Sequence, residues 1–391
     1  MVNLSSVEKA LKDLYLGAII NQLNTDIDPF TAKIKRTPEA ITGNNGIVRA
    51  AQIGLNGGFG AGTETGALPT PGENMYGRLT STTKNLYGVI SVSDKALKSI
   101  RANDKGAFAN LIEREIASMT TTAKWHFARQ IYGSAKGKLA TCTTNGTAST
   151  TIGVDSVQFL MVGITVDVLD SSGGTIAEKR RILNVDRTKK QITISGTGVV
   201  ITAGAFLTVQ NSHNLELTGL TDLFNTSAAT LYGNSRSANS WINPIVKAGG
   251  EISEATMQET ITELEDAYNV NISYISAGNK AYVSYMKLLK QYSRLVNTEV
   301  LEGGAEALKF NAITVVRNKF TPVDAMDFLD PTMFSIDQVS EWDWIEGPTR
   351  SIFVQNGGTA TYNATIVKYA DLMCVCPGGM ARLTGITDPA A

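Results

Sequence analysis

The sequence predicts an α+β protein in which a long hairpin and a long helix accompany several small sheets. Three stretches support this prediction. Residues 54–77 are glycine-rich and lie between two strand-like runs, residues 104–132 carry an apolar stripe at helical spacing, and residues 142–217 contain short β-prone runs. Helical and strand-like patterns then alternate towards the C-terminus, which is typical of a mixed fold.

The glycine-rich stretch separates residues 46–53 from residues 79–92, and these two runs can pair as a hairpin. The tip between them, residues 54–77, carries eight glycines together with Pro69 and Pro71. Glycine loses the most backbone freedom on ordering, and we expect the tip to offer little apolar surface to offset that loss. Because a long hairpin with such a tip is a liability in a lone monomer, we expect the tip to lie on another copy of the chain.

Helical patterns occupy the N-terminal region and the stretch after the hairpin. Residues 5–24 predict an amphipathic helix that begins with a capping box, and residues 25–45 predict an extended arm. Residues 94–101 predict a short helix. Residues 104–132 predict a long helix that ends at Gly133.

The later part of the chain contains two further regions. Residues 256–336 alternate helical and strand-like patterns, and residues 339–376 are mostly strand-like. Between residues 142 and 217, short runs separated by turn signals indicate an inserted small barrel or sandwich. These runs are residues 164–169, 181–185, 191–194 and 206–209.

Composition limits the classes of function. The net charge is −1, from 35 basic and 36 acidic side chains, so no field of one sign is present to attract nucleic acid. The N-terminal sequence does not have the pattern of a signal peptide, and no apolar run reaches the roughly 18 residues of a membrane span. The three cysteines form no disulfide framework, so a reducing cytoplasm fits as the place of synthesis.

Two patterns look like ligand sites but have simpler interpretations. Residues 133–138 resemble a phosphate-binding loop, yet the spacing is one residue short and Leu139 stands where Ser or Thr should bind magnesium. We interpret this segment as the end of a helix. Cys374 and Cys376 share one face of a predicted strand, but the chain has only two histidines, so buried free thiols are favoured over a zinc site.

Aromatic and histidine side chains also indicate packing rather than chemistry. His126 lies beside the apolar stripe and is predicted to be a packed or interface residue. Trp342 and Trp344 share one face of a strand, which favours core or subunit packing. No group of residues converges into a catalytic, cofactor-binding or metal site, so the sequence predicts no enzyme.

The order of these elements resembles the tailed-phage major capsid proteins of the Hong Kong 97 type. The resemblance covers most of the chain outside residues 142–217, which resemble the small β-domains that some of these proteins carry. It rests on the arm at 1–45, the loop at 47–93 with its patterns at 63–66 and 84–94, the spine helix at 104–132, residues 219–224 followed by Trp241, and the late strand at 360–377.

The resemblance implies a domain organisation. The segments are an N-terminal arm (1–46), an extended loop (47–93), a peripheral domain with the spine helix (94–141), an inserted β-barrel or sandwich domain (142–218), an axial domain (219–337), and peripheral return strands with the C-terminal segment (338–391).

The resemblance also implies a function. Such a chain assembles with copies of itself through pentamers and hexamers into the icosahedral virion shell around phage double-stranded DNA, in the host cytoplasm. It implies weak non-specific DNA contact, a separate scaffolding protein, a portal and no membrane. One alternative is an encapsulin-type nanocompartment shell, against which the β-insertion and the long arm argue. A second is an unrelated enzyme or surface-binding protein.

Three charged side chains of the hairpin, Glu64, Glu73 and Arg78, are candidates for inter-subunit contacts. They supply all the charge between residues 54 and 78, so we expect them to pair with charges on neighbouring copies. Some relatives join subunits through a lysine on this loop. Because no lysine lies between Lys35 and Lys84, we expect this chain not to crosslink in that way.

Overall fold

The computed structural model describes residues 28–38, 41–42, 46–95, 105–146, 148–291, 298–300, 306–347 and 352–389. The α-helices are α1 (Pro29–Lys33), α2 (Lys105–Tyr132), α3 (Leu220–Leu223), α4 (Glu254–Tyr268) and α5 (Asn279–Gln291). The strands of the first half are β1 (Lys35–Thr37), β2 (Ile41–Thr42), β3 (Gly46–Gln52), β4 (Tyr76–Thr82), β5 (Lys84–Ser93), β6 (Lys138–Thr141), β7 (Thr151–Gly153), β8 (Thr165–Leu169), β9 (Thr175–Asp186), β10 (Gln191–Ile194) and β11 (Phe206–Val209). The strands of the second half are β12 (Thr230–Leu231), β13 (Asn234–Ser235), β14 (Ile245–Ala248), β15 (Tyr274–Ala277), β16 (Thr298–Val300), β17 (Glu306–Phe310), β18 (Ile313–Arg317), β19 (Met326–Leu329), β20 (Phe334–Gln338), β21 (Asp343–Trp344), β22 (Val354–Gln355), β23 (Thr361–Cys374) and β24 (Ala381–Thr384).

Two predicted helices lie wholly or mainly outside these ranges. The helix at 5–24 and residues 96–101 of the short helix lie outside the described residues. Within the described ranges, no helix is long and apolar enough to cross a membrane.

The long helix α2 packs on a sheet built around β23. Strand β23 pairs with β5, β20, β21 and β22, and β1 joins β20 in parallel. The helix buries Ile116, Phe127 and Ile131 of the predicted apolar stripe in this core. It approaches β5 so closely that a Cβ atom on Gly88 would lie 2.8 Å from the Met119 side chain, so glycine permits the contact. The end of the helix at Tyr132 confirms the prediction.

Strands β3 and β4 form the predicted hairpin, but its second arm is shorter than predicted. The pairing runs from Gly46 opposite Thr82 to Gln52 opposite Tyr76. Because Gly46 is the first residue of β3, that strand provides no partner beyond Thr82. The run at 79–92 therefore divides, and its second part, β5, pairs with β23 instead.

Strands β6 to β11 form a small barrel with a separate core. The order is β6-β11-β8-β9-β10-β7, and a bridge between Cys142 and Val154 joins the ends of β6 and β7. This bridge closes the sheet on itself. Val166, Ile192 and Leu207 are fully buried inside. The four strand-like runs predicted here are confirmed, and the architecture is the barrel.

A seven-stranded sheet of order β14-β24-β19-β15-β18-β17-β16 carries α4 and α5 on one face. Met257 and Leu264 of α4 and Tyr285 of α5 are buried against Ile275 and Phe328 of the sheet. Alternate residues of β15, β18 and β19 face the core that also contains α2. This sheet therefore lies between the two helices and the core of the β23 sheet.

The C-terminal third is less regular than predicted. Within the stretch at 339–376 that was predicted to be mostly strand-like, residues 339–345 contain only the two-residue strand β21, and β22 is also only two residues long. Charged and turn-forming residues on both sides of β21, such as Glu341, Glu346 and Gly347, interrupt the strand-like pattern.

Candidate assembly surface on the hairpin

The base of the hairpin is fixed to the body by close contact. A Cβ atom added to Gly77 of β4 would lie 2.5 Å from the Trp241 ring, so a larger residue would not fit there. The backbone N–H of Thr80 donates to the carbonyl oxygen of Tyr232 at 2.9 Å. These contacts fix the direction in which β3 and β4 leave the body.

Two buried carboxyl groups of the underlying sheet hold the same region. Arg49 of β3 forms an ion pair with Asp337 of β20, and its Nε donates at 3.0 Å. Ser81 of β4 donates from its hydroxyl to Asp371 of β23. Thr218 also donates to Asp371, from its backbone N–H at 2.7 Å and from its hydroxyl at 3.0 Å. Each strand of the hairpin thus contacts its own buried carboxyl group.

The two carboxyl groups differ in their electrostatic surroundings. Asp337 has Arg49 as its counter-ion. Asp371 is fully buried, and this burial raises its pKa from 3.8 to about 6 against the opposing effect of the hydrogen bonds from Ser81 and Thr218. Asp371 is therefore the group at the hairpin base whose charge changes in mildly acidic solution.

The tip of the hairpin is the most exposed apolar part of the described chain. Leu55, Phe59 and Leu68 are 91%, 97% and 90% exposed, and Met75 and Tyr76 at the adjoining end of β4 are each 63% exposed. Several large apolar side chains exposed within one segment mark a candidate interaction site. The tip therefore presents apolar contact area that belongs to none of the three buried cores.

The three charged candidates also lie on this hairpin. Glu64 and Glu73 are in the tip and Arg78 is on β4, and all three side chains are exposed. The backbone carbonyl of Arg78 accepts a hydrogen bond from the Asn234 side chain at 2.8 Å. Among the described residues, no ion pair involves any of the three side chains or brings them together. Their pairing with neighbouring copies stays a prediction.

The apolar surface of the tip was not predicted from the sequence. Little apolar surface was expected there, but Leu55, Phe59 and Leu68 are nearly fully exposed. The sequence pattern could have indicated this exposure. Large apolar residues in a stretch of glycines and prolines do not belong to a helix or strand that could place them in a core.

Residues that resembled ligand or catalytic sites are packed in the interior. Trp342 and Trp344 are buried, and the Trp342 ring lies 6.0 Å from that of Phe127, so the predicted core packing is confirmed. Burial and the nearby Arg129 lower the pKa of His126 to about 3, so its ring is neutral.

The cysteine thiols and the glycine-containing turn after α2 also have structural explanations. Burial raises the pKa of Cys374 well above its ordinary value and that of Cys142 to about 11, which disfavours the thiolate. Gly133 follows the last residue of α2, as expected for a helix end. No group of His, Cys, Asp and Glu within the described ranges is arranged to hold a metal ion.

The hairpin, the long helix, the β23 sheet and the seven-stranded sheet together have the fold of Hong Kong 97-type capsid proteins. A chain of the cyanophage A-1(L) capsid matches with a TM-score of 0.52 and 13% identity, over 91% of this chain and 90% of that chain. This match shows the fold.

Two further solved structures resemble the chain. A chain of the satellite phage P4 procapsid matches with a TM-score of 0.46 and 11% identity, over 95% of this chain and 91% of that one. The SrpI encapsulin of Synechococcus elongatus matches with a TM-score of 0.47 and 7% identity, over 94% and 91% respectively. No family model matches the chain, and neither does any curated protein.

Proposed function

We propose that this chain is a major capsid protein, which assembles through pentamers and hexamers into the icosahedral shell that encloses the double-stranded DNA of a tailed phage. The observation that carries the proposal is the fold shared with a cyanophage capsid chain over 91% of the sequence. The exposed apolar tip, with Leu55, Phe59 and Leu68, supports it, because large apolar side chains exposed in this way mark a surface that another chain can cover.

In this proposal the hairpin tip lies over a neighbouring copy, and Glu64, Glu73 and Arg78 pair with its charges. Each contact is weak, but symmetry repeats it throughout the shell. The chain acts as a structural protein of the virion rather than as an enzyme. A separate scaffolding protein and a portal are its further partners, and assembly takes place in the host cytoplasm.

Electron microscopy of the purified chain, over a range of salt and protein concentrations, tests the proposal. We expect closed shells or rings of five and six copies, and shells from the native source should contain DNA. Shells that contain a cargo enzyme and no DNA would favour the encapsulin-type alternative. A chain that stays monomeric under every condition, also with the candidate scaffolding protein from the same source, would contradict assembly.

A further inference from the structure

A buried lysine lies in the middle of the β23 sheet. The side chain of Lys368 on β23 is only 1% exposed, and the burial of an ammonium group is costly unless polar groups surround it. Gln338, the last residue of β20, lies opposite Ala370, so the side chains of Lys368 and Gln338 leave the sheet on the same face. Glu341 follows in the turn between β20 and β21, and its side chain reaches the same place.

The side chains of Lys368, Gln338 and Glu341 contact one another in a closed triangle. Lys368 Nζ donates to Gln338 Oε1 at 2.6 Å and to Glu341 Oε2 at 3.1 Å. Gln338 Nε2 donates to Glu341 Oε1 at 2.7 Å. Because a carbonyl bond is about 1.23 Å long, Lys368 Nζ lies no more than about 3.8 Å from Gln338 Cδ. An amine nitrogen is therefore held close to the distance from which it can attack a carboxamide carbon.

Two aromatic rings enclose the lysine. Lys368 Nζ lies 5.5 Å from the ring centroid of Phe127 and 5.8 Å from that of Trp342, and both rings are buried. Burial lowers the pKa of Lys368 to about 8, against the opposing effect of Glu341. The neutral amine, which is the nucleophilic form of lysine, is therefore populated in mildly alkaline solution.

Glu341 is placed to carry a proton between the two nitrogen atoms. One of its oxygens contacts Lys368 Nζ, and the other contacts Nε2 of Gln338. Although burial acts in the opposite direction, Lys368 and Gln338 lower the pKa of Glu341, so the carboxylate can accept a proton. Its side chain is 39% exposed, which gives a small product a path to solvent. Arg36 lies 3.6 Å from Glu341 and stays beside the carboxylate if the lysine loses its charge.

We propose that Lys368 and Gln338 form an isopeptide bond within one copy of the chain, with Glu341 as the general base and acid. The neutral Lys368 Nζ attacks Gln338 Cδ, and Glu341 accepts a proton from Nζ through Oε2. The same carboxyl group returns that proton to Nε2, the Cδ–Nε2 bond breaks, and ammonia leaves. The products are a secondary amide and ammonia, so the reaction needs no oxidant and no further reactant.

The bond ties together the two strands that hold the hairpin. Asp337 of β20 and Asp371 of β23 contact the base of the hairpin, and the bond joins these strands close to both residues. It closes a loop of about 30 residues, which restricts the unfolded chain. Because both partners belong to one copy, the bond is distinct from a linkage between copies and does not depend on assembly.

Mass spectrometry of the purified full chain after incubation at about pH 9 tests the bond. The intact mass should be about 17 Da below that of the sequence, because one molecule of ammonia is lost. A tryptic digest should contain residues 320–350 joined to residues 351–382, without cleavage after Lys368. The joined peptide distinguishes the bond from a loss of ammonia at an asparagine, which lowers the mass but leaves the peptides separate. Full mass and separate peptides would overturn the proposal.

Three variants complete the test. Lys368→Met removes the nucleophile, and Glu341→Gln removes the proton carrier at a partly exposed position, so both chains should keep their full mass. Lys247→Met, which removes an exposed lysine that pairs with Glu263, is the matched control and should lose ammonia like the wild type. If Lys368→Met does not fold, Glu341→Gln still decides. A joined peptide formed to the same extent in Glu341→Gln would overturn the role of Glu341.

Discussion

Asp337 and Asp371 lie directly opposite each other on β20 and β23, and each is hydrogen-bonded to a different strand of the hairpin. Arg49 forms an ion pair with the first carboxyl group, whereas the second accepts hydrogen bonds from hydroxyl and amide donors. The base of the hairpin is therefore fixed by one ion pair and by one carboxyl group for which burial favours the neutral form.

Because the folded state raises the pKa of Asp371 from 3.8 to about 6, the stability of the protein should depend on pH. Below both values the carboxyl group is protonated in the folded and unfolded states. As the pH rises between them, the unfolded chain loses its proton first, so stability falls. The difference between the two pKa values corresponds to about 3 kcal/mol above pH 6.

Urea denaturation of the unassembled protein at about pH 4 and about pH 7 measures this effect. The variant Asp371→Asn cannot ionise at this position, so its free energy of unfolding should not show the decrease that ionisation of Asp371 causes in the wild type as the pH rises. Parallel pH dependences of the wild type and the variant would show that Asp371 does not carry a raised pKa.

The buried ion pair of the seven-stranded sheet should be sensitive to the loss of one partner. Arg382 donates two hydrogen bonds to Asp327, at 2.5 and 2.8 Å, and both side chains are buried. Arg382→Met leaves an unpaired buried carboxylate, so it should reduce the free energy of unfolding by about 3–5 kcal/mol. The exposed pair Lys247–Glu263 provides the control, because Lys247→Met should cost about 1 kcal/mol or less. Similar losses from both variants would contradict the prediction.

The apolar tip of the hairpin should matter for assembly and not for folding. The variant Leu55→Ser/Phe59→Ser/Leu68→Ser changes side chains that are at least 90% exposed, so its thermal unfolding should stay close to that of the wild type. Shell yield in electron micrographs should fall sharply because the apolar contact area is lost. Val162→Ser/Val200→Ser, on exposed positions of the barrel, is the control and should assemble normally. Normal shells from the tip variant would rule out this surface as a contact.

Reversal of the charge at Arg78 tests the predicted ionic contacts of the hairpin. Arg78→Glu should reduce shell yield without changing the unfolding of the monomer, because the side chain is exposed and in the described chain forms no ion pair. Lys189→Glu, on an exposed turn of the barrel, introduces the same change of charge and should have no effect. If both variants assemble like the wild type, Arg78 does not pair with a neighbour.

The elements with strong periodicity could be predicted from the sequence, whereas two short strands that each carry a buried charge could not. The stripe of α2 from Ile116 to Ile131 and the β-prone runs of the barrel were recognisable from the spacing of their apolar residues, which pack into two separate cores. Strands β19 and β24 were not predicted, although neither is an edge strand of its sheet. Each is four residues long, and Asp327 and Arg382 within them look like surface charges until the sheet pairs them.

The candidate contact surface was predicted only in part, for a related reason. The hairpin and its exposed charges follow from the sequence, but its attachment depends on partners far away in the chain. Ser81 contacts Asp371 and Arg49 contacts Asp337 across 290 and 288 positions, and no local pattern carries such information.

The first and last strands of the barrel, β6 and β11, pair with each other in antiparallel fashion, with Ala140 opposite Leu207. The chain therefore enters and leaves this unit at neighbouring points, about 5 Å apart across the ladder. A gene for this chain can therefore gain, lose or exchange the whole module without a change in the path of the rest of the polypeptide. The same junction is a natural place to insert a foreign domain.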